Sequence, residues 1–125
     1  AIICYEITDG LKIKNAVQDG SKFILAIANL DPYPSKIFNQ YLSLVRMRSI
    51  ENNIDTVIAS NTGPSGLIRN DGRIGKLMDS NKEDHQVVYT QLLNKKTFYT
   101  HYGIWPLIIT FIFLSICIYI FQDTK

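Results

Sequence analysis

The sequence predicts an α+β fold: a small antiparallel β-meander with two amphipathic helices, followed by one carboxyl-terminal transmembrane helix. Three observations predict it. Strand-length runs rich in isoleucine and aromatics open the chain and are separated by Asp-Gly turns. Two later segments carry apolar residues at helical spacing. The stretch from Ile104 to Phe121 holds no charged residue, the nearest charges being Lys96 and Asp123. The expected division is a soluble domain over residues 1–97, a juxtamembrane segment over 98–103, a transmembrane helix over 104–121 and a short tail over 122–125.

The meander comprises Ile2 to Ile7, Leu11 to Val17 and Phe23 to Asn29. Its connections, Thr8-Asp9-Gly10 and Gln18-Asp19-Gly20, read as three-residue hairpin loops with glycine in a left-handed bulge position. That register gathers Ile3, Tyr5, Ile7, Leu11, Ile13, Phe23, Leu25 and Ile27 on one face. Ile24, Ala26 and Ala28 fall on the other, so the third run is expected to be covered on both sides or to lie inside the sheet.

Asp31-Pro32-Tyr33-Pro34 stops that run, and Ser35 is a suitable N-cap. From Lys36 to about Asn52, Ile37, Phe38, Tyr41, Leu42, Leu44, Val45 and Met47 form an apolar stripe, with Arg46, Arg48 and Glu51 away from much of it. Thr56 to Ser60 is a short strand, and Asn61 to Gly66 a loop. Asn70-Asp71-Gly72 repeats the turn grammar between Leu67-Ile68-Arg69 and Arg73-Ile74. Three such loops predict a sheet built from local hairpins and not a parallel one. Ser80 to Glu83 is a capping-box pattern ahead of a helix from about Asn81 to Lys96 with Val87, Val88, Leu92 and Leu93 on its apolar side. Gly103 and Pro106 then separate a juxtamembrane helix from the span.

As a helix the span reaches roughly 27 Å, close to the hydrocarbon thickness of a bilayer. Tyr99, Tyr102 and Trp105 are expected at one membrane interface and Tyr119 and Phe121 at the other. Thr110, Leu114 and Cys117 share a face that offers a helix-packing seam, although a threonine hydroxyl can equally bond back to its own helix.

The search for chemistry nominates little. The net charge of +2 over 125 residues is too mild to point to nucleic acid. Cys4 and Cys117, the only two cysteines, are not placed to form a disulfide framework, and Cys4 reads as a small buried residue in a strand. His85 and His101 have no ligand partner at useful spacing, so no metal site is expected. The carboxylates form no matched pair for acid–base work. Gly72-Arg-Ile-Gly-Lys76 has the wrong spacing for a phosphate loop. Arg69, Arg73 and Lys76 remain as a contact for an anion, a lipid headgroup or an acidic partner.

Asp71-Gly-Arg-Ile74, His85-Gln-Val-Val88 and Leu92-Leu93 together resemble the second half of a PDZ domain, but the carboxylate-binding loop and a closing strand are missing. The opening Ala-Ile-Ile-Cys-Tyr-Glu-Ile-Thr-Asp-Gly resembles the start of longin domains, but its third β-run stands where a longin has its first helix. Neither assigns the chain to a family.

The expected function is thus a non-catalytic, single-pass accessory or assembly subunit of a larger membrane complex. No catalytic residue, cofactor or small-molecule substrate is expected, and the chain is not expected to be an enzyme. Its partners would be other membrane protein subunits, as a hetero-oligomer, and the lipid bilayer, with no nucleic acid. The alternative is a tail-anchored cytosolic adaptor or trafficking module that recruits soluble partners. The opening Ala-Ile-Ile-Cys fits removal of an initiator methionine or of a targeting peptide. An organelle membrane, mitochondrial or endoplasmic reticulum, is favoured over the cell surface, and Lys95 and Lys96 against Lys125 lean towards a domain on the cytosol-like side.

Overall fold

The computed structural model describes residues 1–78 and 83–123. Strand β1 is short, Ile2–Ile3, and breaks at once into a 3-10 turn, Cys4–Thr8. Helix α1 (Gly10–Gln18) leads to β2 (Phe23–Ala28), and α2 (Lys36–Asn52) leads to β3 (Asp55–Ser60). Strands β4 (Gly66–Ile68) and β5 (Ile74–Leu77) complete one five-stranded sheet in sequence order. Helices α3 (Phe98–Tyr102) and α4 (Trp105–Asp123) close the described chain.

The fold is α+β, as expected, but the sheet is mixed. Strands β1, β2 and β3 run parallel, with Ile2 beside Ala26 and Leu25 beside Val57. Only β3–β4 and β4–β5 are antiparallel hairpins. The first two runs of the predicted meander are therefore corrected. Leu11 to Val17 is helical because parallel neighbours need a crossover, and a helix supplies it. Ile13 and Val17, four residues apart, turn together into the core, while Leu11 is exposed. So short an apolar run satisfies both periods, and tertiary pairing chooses between them. Asp9 is no hairpin residue: its carboxylate caps α1 by accepting the Lys12 N–H at 2.9 Å.

The core lies between the sheet and the α1–α2 layer. Ile24, Ala26 and Ala28 of β2 face it, reversing the predicted face of that run; Phe23 and Ile27 are 46% and 44% exposed. Strand β2 does lie inside the sheet, between β1 and β3. Helix α2 matches the predicted bounds but buries Tyr41, Val45, Arg48, Ser49 and Asn52, a stripe that takes Arg48 inward and leaves Met47 out. Ser49 and Thr56 share a 2.7 Å hydroxyl contact that ties α2 to β3, both residues fully buried.

Residues 83–97 form a strap without regular secondary structure, not the predicted helix; the capping residues Ser80 to Lys82 lie outside the described residues. Val87, Val88 and Thr90 lose side-chain freedom in a helix, and backbone groups of Tyr89 and Gln91 find side-chain partners instead. Those partners converge on Asp55, a carboxylate with no exposed surface. It accepts from Arg69 Nη1 at 2.9 Å, the Asn70 N–H at 2.9 Å and the Gln91 N–H at 2.8 Å. Arg69 also donates to the Tyr89 carbonyl at 3.0 Å, and Asn53 Nδ2 to the Lys95 carbonyl at 2.8 Å.

The strap delivers α3 against α1 and α2. Thr97 caps α3, and the fully buried Thr100 lies beside Asn52 and gives its carbonyl to Gln18 Nε2 at 2.7 Å. Gly103, at φ 59°, ends α3 in a left-handed conformation, so α3 and α4 are separate helices. Residues Trp105–Gln122 of α4 have a mean hydropathy of 2.0 with no part of that stretch buried, so there is one helix long and apolar enough to cross a membrane among the described residues.

Replacing Asp55 with asparagine removes the charge that three donors converge on. Asp55→Asn is expected to cost about 3 kcal/mol in chemical denaturation, the scale of breaking a buried ion pair. Limited proteolysis should then cut first within residues 83–97.

Candidate active site

Cys4 is where β1 turns. Its φ is 48°, one of two positive values among the described non-glycine residues, the other being the helix-ending Asn53. A side chain held in the left-handed region costs about 1–2 kcal/mol and persists only where its surroundings over-determine it.

The surroundings here do so. The Ile3 N–H donates to Glu6 Oε2 at 2.8 Å, the Thr8 hydroxyl donates to the Tyr5 carbonyl at 2.8 Å, and the Asp9 N–H donates to the Glu6 carbonyl at 3.1 Å. Lys12 reaches back from α1 to pair with Glu6, and that bond, with the Ile3 amide, holds the Glu6 carboxyl below its ordinary range. Ile7 plugs the turn into the core. From α2, Arg48 donates Nε to the Ile7 carbonyl at 3.0 Å and Nη2 to the Thr8 carbonyl at 3.4 Å, while Nη1 pairs with Glu51. A Cβ on Gly10 would stand 2.4 Å from Arg48 Nη1, so glycine lets α1 begin this close to a guanidinium already fixed by its acceptors.

Cys4 itself is half-buried and lies at the carboxyl end of a parallel strand. Ile3 and Tyr5 on either side are 66% and 81% exposed. The Tyr41 hydroxyl, buried and without a hydrogen-bond partner among the described residues, stands within electrostatic reach of the Cys4 sulfur. Burial first, and the charge on Cys4 second, push its pKa up to about 12. One strand further along, an open cleft of about 1050 Å³ lies past the ends of β2 and β3, with Asn29, Ser60, Asn61, Ser65 and His85 on its walls. Cys4 does not line it.

The residues singled out from sequence are dispersed. Arg69 is engaged by Asp55 at 2.9 Å and Arg73 by Asp71 at 2.6 Å, with the Arg73 side chain still exposed and Lys76 exposed on β5. Tyr99 turns towards the domain, its hydroxyl 3.0 Å from where a Gly10 Cβ would stand. Tyr102, Trp105, Tyr119 and Phe121 are exposed along α3 and α4. Thr110 bonds back to the Pro106 carbonyl at 2.8 Å, while Leu114 is exposed and Cys117 half-buried on α4. No group of three or more potential metal ligands occurs among the described residues.

Cys4 was hidden by the strand reading of Ile2 to Ile7. The signal that finds it is a short apolar run, a thiol and then an N-cap, Asp9, five residues on, which together spell strand, turn and helix.

No family model matches the chain. It is 57% identical over 112 residues to the apolipoprotein N-acyltransferase of Prochlorococcus marinus subsp. pastoris, covering 90% of this chain and 23% of that protein. A second Prochlorococcus marinus protein of the same name is 40% identical over 106 residues, 85% of this chain and 22% of the relative. The one from Thermosynechococcus vestitus is 30% identical over 120 residues, 92% of this chain and 23% of the relative. The chain thus spans about a quarter of the length of the curated relatives it matches.

These relatives overturn several expectations. Proteins similar across nine tenths of this chain are named as enzymes, so the non-catalytic accessory subunit, the tail-anchored adaptor or structural protein, and the expectation that the chain is no enzyme are all corrected. A relative that is an N-acyltransferase by name has an acyl group to move and an apolipoprotein to receive it, against the expectation of no small-molecule substrate and of purely structural partners. The membrane setting is supported by α4, but the relatives are bacterial and an organelle membrane has no support.

Arg48→Met strips two carbonyls and the Glu51 carboxylate of their donor and should cost about 3 kcal/mol in denaturant titration; Arg48→Lys should recover only part, because an ammonium cannot fork between acceptors. For Tyr41, a pKa raised to about 12 in the folded state means that only the unfolded chain ionises between pH 10 and 12. Stability should therefore fall as pH rises through that window, and Tyr41→Phe should remove this component of the alkaline loss.

Proposed function

We propose that this chain carries the nucleophile of an apolipoprotein N-acyltransferase and that Cys4 is that nucleophile. The observation that carries the reading is the left-handed φ of 48° at Cys4, held at a strand-to-helix turn by Glu6, Lys12 and Arg48. Sharp turns of this kind present a nucleophile, and the carboxyl ends of parallel strands are where open α/β sheets meet their ligands. Acyl transfer through an enzyme-bound intermediate requires such a group, and a thiol is intrinsically well suited.

In the first half-reaction the sulfur gives up its proton and attacks the carbonyl carbon of an ester-linked acyl donor. The donor's C–O bond breaks, the departing oxygen takes a proton, and an acyl thioester remains on Cys4. In the second, the amine of the acceptor polypeptide attacks the thioester carbon. The C–S bond breaks, the nitrogen loses a proton, the sulfur regains one, and an amide is formed. Ile3 and Tyr5 flank the sulfur with apolar surface of the kind an acyl chain covers. The Tyr41 O–H, neutral at physiological pH and unpartnered, is available to donate to the sulfur or to a developing oxyanion. Among the described residues no imidazole or carboxylate bonds the Cys4 sulfur, and in this reading the base belongs to the larger share of the protein that the relatives hold outside the matched region. Helix α4 anchors the assembly in a bacterial membrane, with Tyr102 and Trp105 at one interface and Tyr119 and Phe121 at the other.

The test is peptide mass spectrometry on the protein in its native membranes supplied with acyl donor. An acyl adduct is expected on Cys4 and not on Cys117, released by hydroxylamine. Cys4→Ser should lower amide formation by about a thousandfold or more, with Cys117→Ser unchanged. Full transfer by Cys4→Ala would remove the assignment.

A further inference from the structure

Four lysines gather where the domain meets α4. Lys14 of α1 lies along Gly103, where a Cβ would stand 3.3 Å from its Cε, and its Nζ bonds Gln18 Oε1 at 3.3 Å. Lys96 Nζ donates to the Gln18 carbonyl at 2.9 Å, and Lys22 Nζ to Asn94 Oδ1 at 2.6 Å. Lys95 is exposed, with its backbone carbonyl held by Asn53. Topology explains the gathering: Lys22 leads into β2 and Asn53 leads into β3, so all four sit near the amino ends of two neighbouring parallel strands.

Among the described residues the ion pairs engage Lys12, Arg48, Arg69 and Arg73, and these four lysines take part in none. Their polar partners are neutral amides and carbonyls, which orient the ammonium groups without cancelling their charge. The patch adjoins the exposed rings of Phe98, Tyr102 and Trp105, at the point where the uncharged helix begins. Charge names the partner as anionic, and contiguity with the span names it as a lipid surface.

We propose that Lys14, Lys22, Lys95 and Lys96 form a basic platform that rests on anionic phospholipid headgroups of the leaflet from which α4 emerges. This rests on α4 crossing the bilayer. Because Thr100, Asn52 and Gln18 lock α3 to α1 and α2, headgroups gripped at the platform hold the whole domain at one tilt and do not merely tether it. Each lysine near such a surface gains a small, salt-sensitive attraction, and four acting together set an orientation.

The full chain, reconstituted in nanodiscs of phosphatidylcholine with or without phosphatidylglycerol, is pulsed with an acetylating reagent and read lysine by lysine by mass spectrometry. Phosphatidylglycerol is expected to slow acetylation of Lys14, Lys22, Lys95 and Lys96 by about fivefold each, with Lys36 and Lys76 unchanged and the protection lost in high salt. Equal acetylation in the two lipids, with the chain incorporated, overturns the platform and leaves the span standing. Failure of the chain to incorporate at all removes the span and the platform together.

Discussion

A carboxylate with no exposed surface is the constraint on which this architecture turns. Asp55 begins β3 and accepts hydrogen bonds from the hairpin side chain Arg69, the hairpin amide of Asn70 and the strap amide of Gln91. A buried charge is tolerated only when its lone pairs are met, and the three donors come from two segments well separated from it in sequence. One side chain therefore makes the end of the sheet and the strap over residues 83–97 a single unit. The chain beyond the strap inherits that rigidity: Thr97 and Thr100 seat α3, and Gly103 redirects the backbone into α4.

Helix α2 carries the second buried charge, and its inward stripe couples the two halves of the molecule. Tyr41 and Val45 pack on the sheet, Ser49 bonds Thr56, and Asn52 lies beside Thr100 of α3. Arg48, between them, reaches the carbonyls of the turn that begins at Cys4. A mostly apolar core would let that turn relax. A forked guanidinium with three acceptors does not, because moving it leaves a buried cation unsatisfied. The strained backbone at Cys4 is thus sustained by an interaction 44 residues away in sequence.

The polar partners also decide which apolar residues count. The predicted meander face placed Ile3, Tyr5 and Leu11 in the core, and all three are exposed. The core instead takes Ala26 and Ala28 against α1 and α2, where small side chains admit close approach of the helix layer. At the far end, α4 is left unburied, and its Thr110 and Ser115 hydroxyls return to their own helix at Pro106 and Phe111. A helix whose hydroxyls are met internally and whose side chains are apolar along its length suits a hydrocarbon surrounding.

What the sequence determined by itself lay within a short range. The apolar stretch before Asp123 marks α4 because transfer to lipid is a sum over side chains and needs no knowledge of neighbours. The bounds of α2 and the Asn70-Gly72 hairpin follow from local turn and cap chemistry. Tertiary structure alone decided the parallel pairing of β1 to β3, the helix at Leu11 to Val17, the strap over residues 83–97 and the left-handed turn at Cys4. Each of these depends on a partner 20 or more positions away, as Ile3 does on Ile27, Asp55 on Gln91 and Ile7 on Arg48. Where one segment satisfies two periodicities equally well, only such a distant partner breaks the tie.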